Sequence, residues 1–461
     1  MTDFKRLGDQ WRMGTTPAGD SLSDDAAPKT VALSGGGYAS VWHATPDAAP
    51  TRASDVYLRI IAPDGHEVQA GTQVNHSADA AQTQPDVVQL ADGRLLVTWT
   101  SAEQGSADLG IWGRIYDVTG QPVTGDLALV VHPGGVRHDA RSVARADGGF
   151  TLVYTESSGQ DGSFDGVYTR SFGQDATPLG DEARVNVHTS DRQFDPEIAA
   201  LDTGMIAVWS GSVPGDTSSH GIVGRFLGDD GTPVGSAFVL NTTTFNTQYG
   251  PRVTRTEDGF AVAWTTFATA TASWEVVYQR FLANGSLVGP QLQVNTTHVG
   301  HQEVQDILAL SDGGLIIAWQ GPDASPDATG DAVFAQRLDA AGKRVGSQIR
   351  ISPMRDTDQG AVDLVQLEDG RVLATWRARD HEDKDWGDED WGVFAHYLIA
   401  PTEMAPFGPD RIIATQADTP KIHAATTALS EGGGVIVWLR NAGQDAEIMA
   451  QWVDPRGRSA D

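Results

Sequence analysis

Apolar residues in this chain come in runs of about five, broken by Asp-Gly or Gly-Gly pairs and polar stretches. No segment keeps a helical apolar period through three turns. Eight runs end on an aromatic residue: Trp42, Trp99, Tyr154, Trp209, Trp264, Trp319, Trp376 and Trp438. The intervals between them are 57, 55, 55, 55, 55, 57 and 62 residues. A fixed period of this length marks one supersecondary unit stacked against copies of itself.

Each unit reads as four strands. The first is a run such as Pro85-Asp-Val-Val-Gln-Leu, Pro196-Glu-Ile-Ala-Ala-Leu or Pro251-Arg-Val-Thr-Arg. A hairpin signal follows, as at Asp92-Gly93, Asp147-Gly148, Asp258-Gly259, Asp312-Gly313 and Asp369-Gly370. The anchor strand comes next and is apolar on nearly every residue (Leu95 to Trp99, Phe260 to Trp264, Leu315 to Trp319), as expected when both faces are covered. A polar connection of variable length leads to a third strand, as in Ile111-Trp-Gly-Arg-Ile. A Gly-bearing turn then opens a fourth, closing on Asn-Thr at Asn241 and Asn295. Four short antiparallel strands per unit describe a propeller blade.

The predicted fold is therefore all-β: one domain over 1–461, an eight-bladed propeller of four-stranded antiparallel blades. The blades fall at about 28–77, 85–133, 139–188, 196–243, 251–297, 304–353, 361–415 and 420–454. The last unit lacks a fourth strand. The segment Arg6-Leu-Gly-Asp-Gln-Trp-Arg-Met-Gly14 lines up with Leu287-Val-Gly-Pro-Gln-Leu-Gln-Val-Asn295, so a closure strand within 4–14 should complete that blade and remove the open edge.

Composition then narrows the chemistry. A formal charge of −29, from 61 acidic and 32 basic residues, repels phosphate backbones and anionic lipid, which excludes nucleic acid as a partner. No apolar stretch reaches membrane-spanning length, and no hydrophobic region follows Met-Thr-Asp-Phe-Lys-Arg to make a signal peptide, so membrane insertion is not expected. The absence of cysteine removes thiol catalysis and zinc-thiolate sites. His-Glu-x-x-His, phosphate-loop, dinucleotide and Gly-x-Ser-x-Gly signatures are all absent.

Connections from strand two to three, and from one blade to the next, emerge on one face. Length variation concentrates there: from anchor to strand three the spacing runs from 10 to 17 residues. Variable loops on a repeating scaffold make this the candidate binding face. Its outlier is blade seven, Asp380-His-Glu-Asp-Lys-Asp-Trp386-Gly-Asp-Glu-Asp-Trp391-Gly, with seven carboxylates and two tryptophans in thirteen residues. One reading is a calcium-stiffened platform: Asp380, Glu382, Asp383, Asp385, Asp388 and Asp390 hold the cation while His381, Trp386 and Trp391 meet a sugar ring or a protein. The other is a solvated acidic loop whose tryptophans fold back on the neighbouring blade.

Two patterns recur once per unit. Arg59, Arg114, Arg170, Arg225, Arg280 and Arg337 share one strand-three position, as a scaffold pattern would, bonding to neighbouring backbone or carboxylates. Gln82, Gln193, Gln248, Gln302 and Gln359 recur in the inter-blade connection. They either satisfy backbone groups where blades meet or present amides at the channel mouth, where Gln193, Gln248 and Gln302 would be ligand contacts.

As a composite the units read Gln-x-x-Pro-x-Val-x-x-Leu-x-Asp-Gly-Gly-x-x-Val-x-Trp, Gly-Ile-x-x-x-Arg-Phe, Gly-x-x-Val-Gly and Val-Asn-Thr. This resembles the propeller repeats of large bacterial extracellular proteins, including calcium-dependent adhesins, and more loosely the propellers on spikes of phage-like particles. The resemblance implies an extracellular or surface-displayed, non-catalytic binding role toward a surface polysaccharide or protein partner, with calcium as cofactor. It departs from the adhesins in lacking glycine/aspartate nonapeptide calcium repeats. The alternatives are a spike or fibre component that binds capsular polysaccharide, and an enzyme acting on polysaccharide with carboxylates at the channel mouth.

Overall fold

The computed structural model describes residues 11–12, 29–34, 38–44, 53–61, 67–76, 80–102, 108–162, 164–212, 220–244, 246–323, 330–351, 358–366, 372–379, 391–399, 405–406, 411–414, 424–428, 434–442 and 445–453. Among these the strands form eight antiparallel sheets, seven of four strands and one of five. The first strands of blades one to eight are Lys29–Ala32, Gln82–Gln89, Arg137–Ala144, Gln193–Ala200, Gln248–Thr256, Glu303–Ala309, Gln359–Gln366 and Ala424–Ala428. Each packs beside the next in chain order, and the eighth packs beside the first, so the sheets close into a propeller around a central channel. Among the described residues no helix is long and apolar enough to cross a membrane.

The chain ends make the closure. Trp11–Arg12 pairs antiparallel with Asp445–Val453, Trp11 opposite Ala450 and Arg12 opposite Met449. It is the outermost strand of a sheet whose other three members come from the C-terminal unit, as the alignment with the Leu287 segment predicts.

The continuous apolar run of each second strand follows from a strand buried on both faces. Phe260, Val262 and Trp264 pack on blade four with Ile206, Val208 and Leu240. The alternate residues Ala261 and Ala263 face blade six, where Leu315, Ile317 and Trp319 fill the space. A large anchor on one side meets small residues on the other, which lets blades interdigitate at interior density. Trp209, Trp264, Trp319, Trp376 and Tyr154 are all fully buried. Gly93, Gly148 and Gly313 close the first hairpins at φ of 88°, 89° and 82°, where a Cβ would be strained.

The recurring arginines are scaffold. Arg170 Nη1 donates to Leu129 O of the preceding blade at 2.7 Å, and Arg225 Nη1 to Val185 O at 3.0 Å. Arg280 pairs with Asp258 at 2.7 Å, and Arg337 with Asp312. The recurring asparagines act locally: the Oδ1 atoms of Asn75, Asn186, Asn241 and Asn295 accept from the strand-three N–H of Val56, Val167, Ile222 and Val276 at 2.7–2.9 Å.

Candidate functional site

The first strands begin at the face that carries the blade-to-blade connections, so their opening residues rim the channel mouth. In blades two to five the ladder slips there, between Thr83 and Asp86, His138 and Arg141, Phe194 and Glu197, and Tyr249 and Arg252. Each slip is a bulge holding one residue in the left-handed region: Gln84 at φ 50°, Asp139 at 52°, Asp195 at 52° and Gly250 at 63°. For a side chain other than glycine that conformation costs on the order of 1–3 kcal/mol, with aspartate among the types that bear it best. Bulges re-aim side chains, and here they set two aspartates on adjacent blades at one rim.

The two carboxyls have unlike surroundings. Asp139 Oδ1 accepts from Gln84 Nε2 at 2.7 Å, and its Oδ2 lies 2.8 Å from His138 Nδ1. The other ring nitrogen of His138 meets Ser157 Oγ at 2.8 Å, which fixes the imidazole. Burial alone would raise the Asp139 carboxyl, but the hydrogen bond and charge of His138, with Arg141 and Gln84, bring it below the usual carboxylate value. The hydrogen bond to Asp139 in turn raises His138, against its burial. Asp195 is the opposite case. Among the described residues none donates a hydrogen bond to its carboxyl, and burial, followed by the charge of Asp139, pushes it above the usual value. Arg252 and Arg141 act against that rise without cancelling it.

Just inside the rim, charges bind neighbouring blades together. Glu197 Oε1 lies 3.3 Å from Arg141 Nε and 3.8 Å from Arg252 Nη1, spanning blades three to five. Arg252 Nε continues to Gln305 O of blade six at 3.1 Å. At the same level Asp86 accepts from Ser142 N at 3.1 Å and Asp306 from Leu364 N at 2.9 Å. Glu197 is thereby a strut, whereas the carboxyl of Asp195 above it has no hydrogen-bond donor among the described residues.

Of the residues expected to form the site, the structure describes the side chains of the three glutamines. Gln193, Gln248 and Gln302 are fully buried within their blades. Gln193 Oε1 accepts from Trp209 Nε1 at 2.8 Å, and Gln302 Oε1 from Trp319 Nε1 at 3.0 Å. Gln248 Oε1 accepts from Asn241 Nδ2 at 3.1 Å, and its Nε2 donates to Asn246 O at 2.8 Å. These amides bond the scaffold, the first of the two readings of the pattern. Trp391 opens the strand Trp391–Ile399, opposite Arg379. Asp380, His381, Glu382, Asp383, Asp385, Trp386, Asp388 and Asp390 lie outside the described residues. Among the described residues no group of three or more His, Asp or Glu side chains is arranged to hold a metal ion.

No family model and no curated protein matches the chain. Among solved structures it is similar to the α-L-arabinofuranosidase of Fusarium graminearum with an iminosugar inhibitor, at 13% identity over 73% of this chain and 98% of that one, TM-score 0.44. It is also similar to a Penicillium chrysogenum α-L-arabinanase complexed with arabinobiose, at 16% identity over 80% and 94%, TM-score 0.42. A Dyadobacter fermentans protein of unknown function aligns over 95% of this chain and 98% of its own, at 10% identity and TM-score 0.43. The expectation of a non-catalytic binding propeller is corrected here. The Fusarium graminearum and Penicillium chrysogenum structures are named as enzymes, and in this chain Asp139 and Asp195 on adjacent blades are shifted in opposite directions, which accords with the enzymatic alternative.

Proposed function

We propose that the chain hydrolyses a glycosidic bond in a polysaccharide at the channel mouth, with Asp195 as proton donor and Asp139 as the ionised carboxylate. The observation that supports this reading is the divergence of the two groups: Asp195 raised and, among the described residues, without a hydrogen-bond donor, Asp139 lowered and held by His138 and Gln84. Two titratable groups whose surroundings push their pKa values apart divide acid from base roles. Glycoside hydrolysis needs that division. Asp195 gives its proton to the glycosidic oxygen as the C–O bond breaks. Asp139 takes a proton from the water that attacks the sugar carbon, and His138 holds Asp139 ionised. The likeness of the repeats to bacterial extracellular propellers supports an extracellular or surface location, where polysaccharide is at hand.

The test is release of reducing sugar from a panel of neutral and acidic polysaccharides, arabinan included. Wild-type protein is expected to act on at least one, and Asp195→Asn to lose on the order of 10²–10⁴ in kcat. No release from any of the panel, or an undiminished Asp195→Asn variant, overturns the reading.

A further inference from the structure

Blade five differs from its neighbours on the same face. Its second and third strands, Gly259–Ala268 and Ser273–Leu282, are ten residues each, against eight for the corresponding strands of blades four and six. On the loop side the pair Ala268 and Ser273 extends this hairpin one step past the Ser212–His220 and Pro322–Asp331 pairs that end its neighbours, and at the register of those two pairs blade five sets Phe267 opposite Trp274. Trp274 stands at the centre of an aromatic group drawn from three elements. Its ring is 5.3 Å from Phe267 at 71°, 5.3 Å from Tyr249 at 77° and 5.4 Å from His301 at 43°. The Tyr249 hydroxyl lies 2.5 Å from His301 Nε2, which joins the first strand of blade five to the connection entering blade six. A parallel bridge between Trp274 and His301 fixes the same junction through the backbone.

Edge-to-face packing against Phe267 and Tyr249, with a tilted contact to His301, locks the indole in orientation. Trp274, Tyr249 and Phe267 are only half-buried, and His301 is exposed. The indole N–H is not enclosed and has no partner among the described residues. The wall also adjoins the rim. Burial, then the charges of Glu303 and Asp195, raise the Tyr249 phenol, so both carboxylates are electrostatic neighbours of the wall. On its far side Asp331 is raised by burial and by Asp358 and Glu303.

We propose that Trp274, braced by Tyr249, Phe267 and His301, is a stacking subsite for an uncharged sugar unit beside the bond that Asp195 protonates. The proposal rests on the catalytic reading for the word "beside", but the binding it describes is separately measurable. An aromatic face with a free N–H suits a sugar ring, which offers C–H groups on its flat side and hydroxyls at its edge. The charge of the surroundings selects among sugars. Glu303, Asp331 and Asp358 make the wall's border acidic, and a uronate or sialate would meet like charges there.

Titration calorimetry tests this with neutral oligosaccharides of arabinose, xylose and glucose, and an oligogalacturonate as the charged control. The wild type is expected to bind at least one neutral series and not the galacturonate. Trp274→Ala should weaken that binding about tenfold, while Trp274→Phe, which keeps a ring face, retains most of it. An unchanged far-ultraviolet spectrum shows that the blade stays folded. If hydrolysis is found, Trp274→Ala raises KM with kcat little changed. Neutral-sugar binding that survives Trp274→Ala, preference for the galacturonate, or no binding of any probe overturns the subsite. Binding lost in Trp274→Ala by a protein that hydrolyses nothing upholds the subsite and overturns only the catalytic reading.

Discussion

Trp319 and Gln302 offer the sharpest test of how this wheel uses its repeating amides. The indole Nε1 donates to Gln302 Oε1 at 3.0 Å, and both side chains are wholly buried. Trp319→Phe keeps an aromatic ring in the slot and removes the donor, stranding an acceptor where no water replaces the bond. That loss costs about 1–3 kcal/mol, added to a smaller packing term for the lost ring atoms. Gln302→Leu removes the acceptor, and also the bond from Gln302 Nε2 to Val299 O at 2.8 Å, so on its own it is destabilising too. In the double variant the stranded partner is gone on both sides. The cycle should show a coupling of about 1–2 kcal/mol. Denaturant titration followed by near-ultraviolet circular dichroism reads all four proteins. Additivity within about 0.5 kcal/mol refutes the bonded-scaffold account of the glutamines. A Gln302→Leu protein that keeps its stability and loses glycan binding refutes it more directly.

Four further outcomes are expected. In His138→Gln, Asp139 loses the main group that lowers its pKa, so the acid limb of any hydrolytic pH profile moves to higher pH while the alkaline limb, set by Asp195, stays; movement of both limbs, or of neither, counts against the assignment. The same pair contributes to stability with two signs: the lowered Asp139 contributes above its unfolded value and loses this as pH falls through its folded one, and the raised His138 contributes below about 6.5 and loses this as pH rises through its folded value, so urea midpoints should fall at both extremes. Glu197→Gln breaks the strut between Arg141 and Arg252, and because both arginines are about a third exposed the cost should be about 1–2 kcal/mol rather than a lost fold, which thermal melts will show. Deleting residues 1–14 removes the strand Trp11–Arg12 and bares the edge of Asp445–Val453, and light scattering should detect association that the intact chain does not show.

The wheel was legible because its signal is arithmetic: evenly spaced anchors, Asp-Gly hairpins, and a leading segment that matches the strand missing at the end. The arginines were read correctly for the same reason, since one per blade is a scaffold pattern and each bonds to its neighbours. The site was not legible. Asp139 and Asp195 occupy the position before the strand-one residues Ala140 and Pro196, where blades two and five have Gln84 and Gly250. Aspartate and glycine there hint at positive φ, yet a bulge is a mismatch between two strands and cannot be counted on one. Nor does a sequence show that His138 lowers one carboxyl while burial and the charge of Asp139 raise its neighbour. Trp274, Tyr249 and His301 come from three elements and meet only in the folded blade. For the glutamines the period was visible but not the direction, and the side chains turn inward to the anchor tryptophans.

Joining the two chain ends in one sheet has a consequence for synthesis. Trp11 leaves the ribosome long before its partner Ala450 exists, and at typical elongation rates the wait is about 20–90 s. Over that interval the early blades form an unclosed arc with a bare flank at each end, exposed to wrong neighbours until Asp445–Val453 is made. The hazard to this protein in the cell therefore lasts until the eighth sheet takes up Trp11–Arg12.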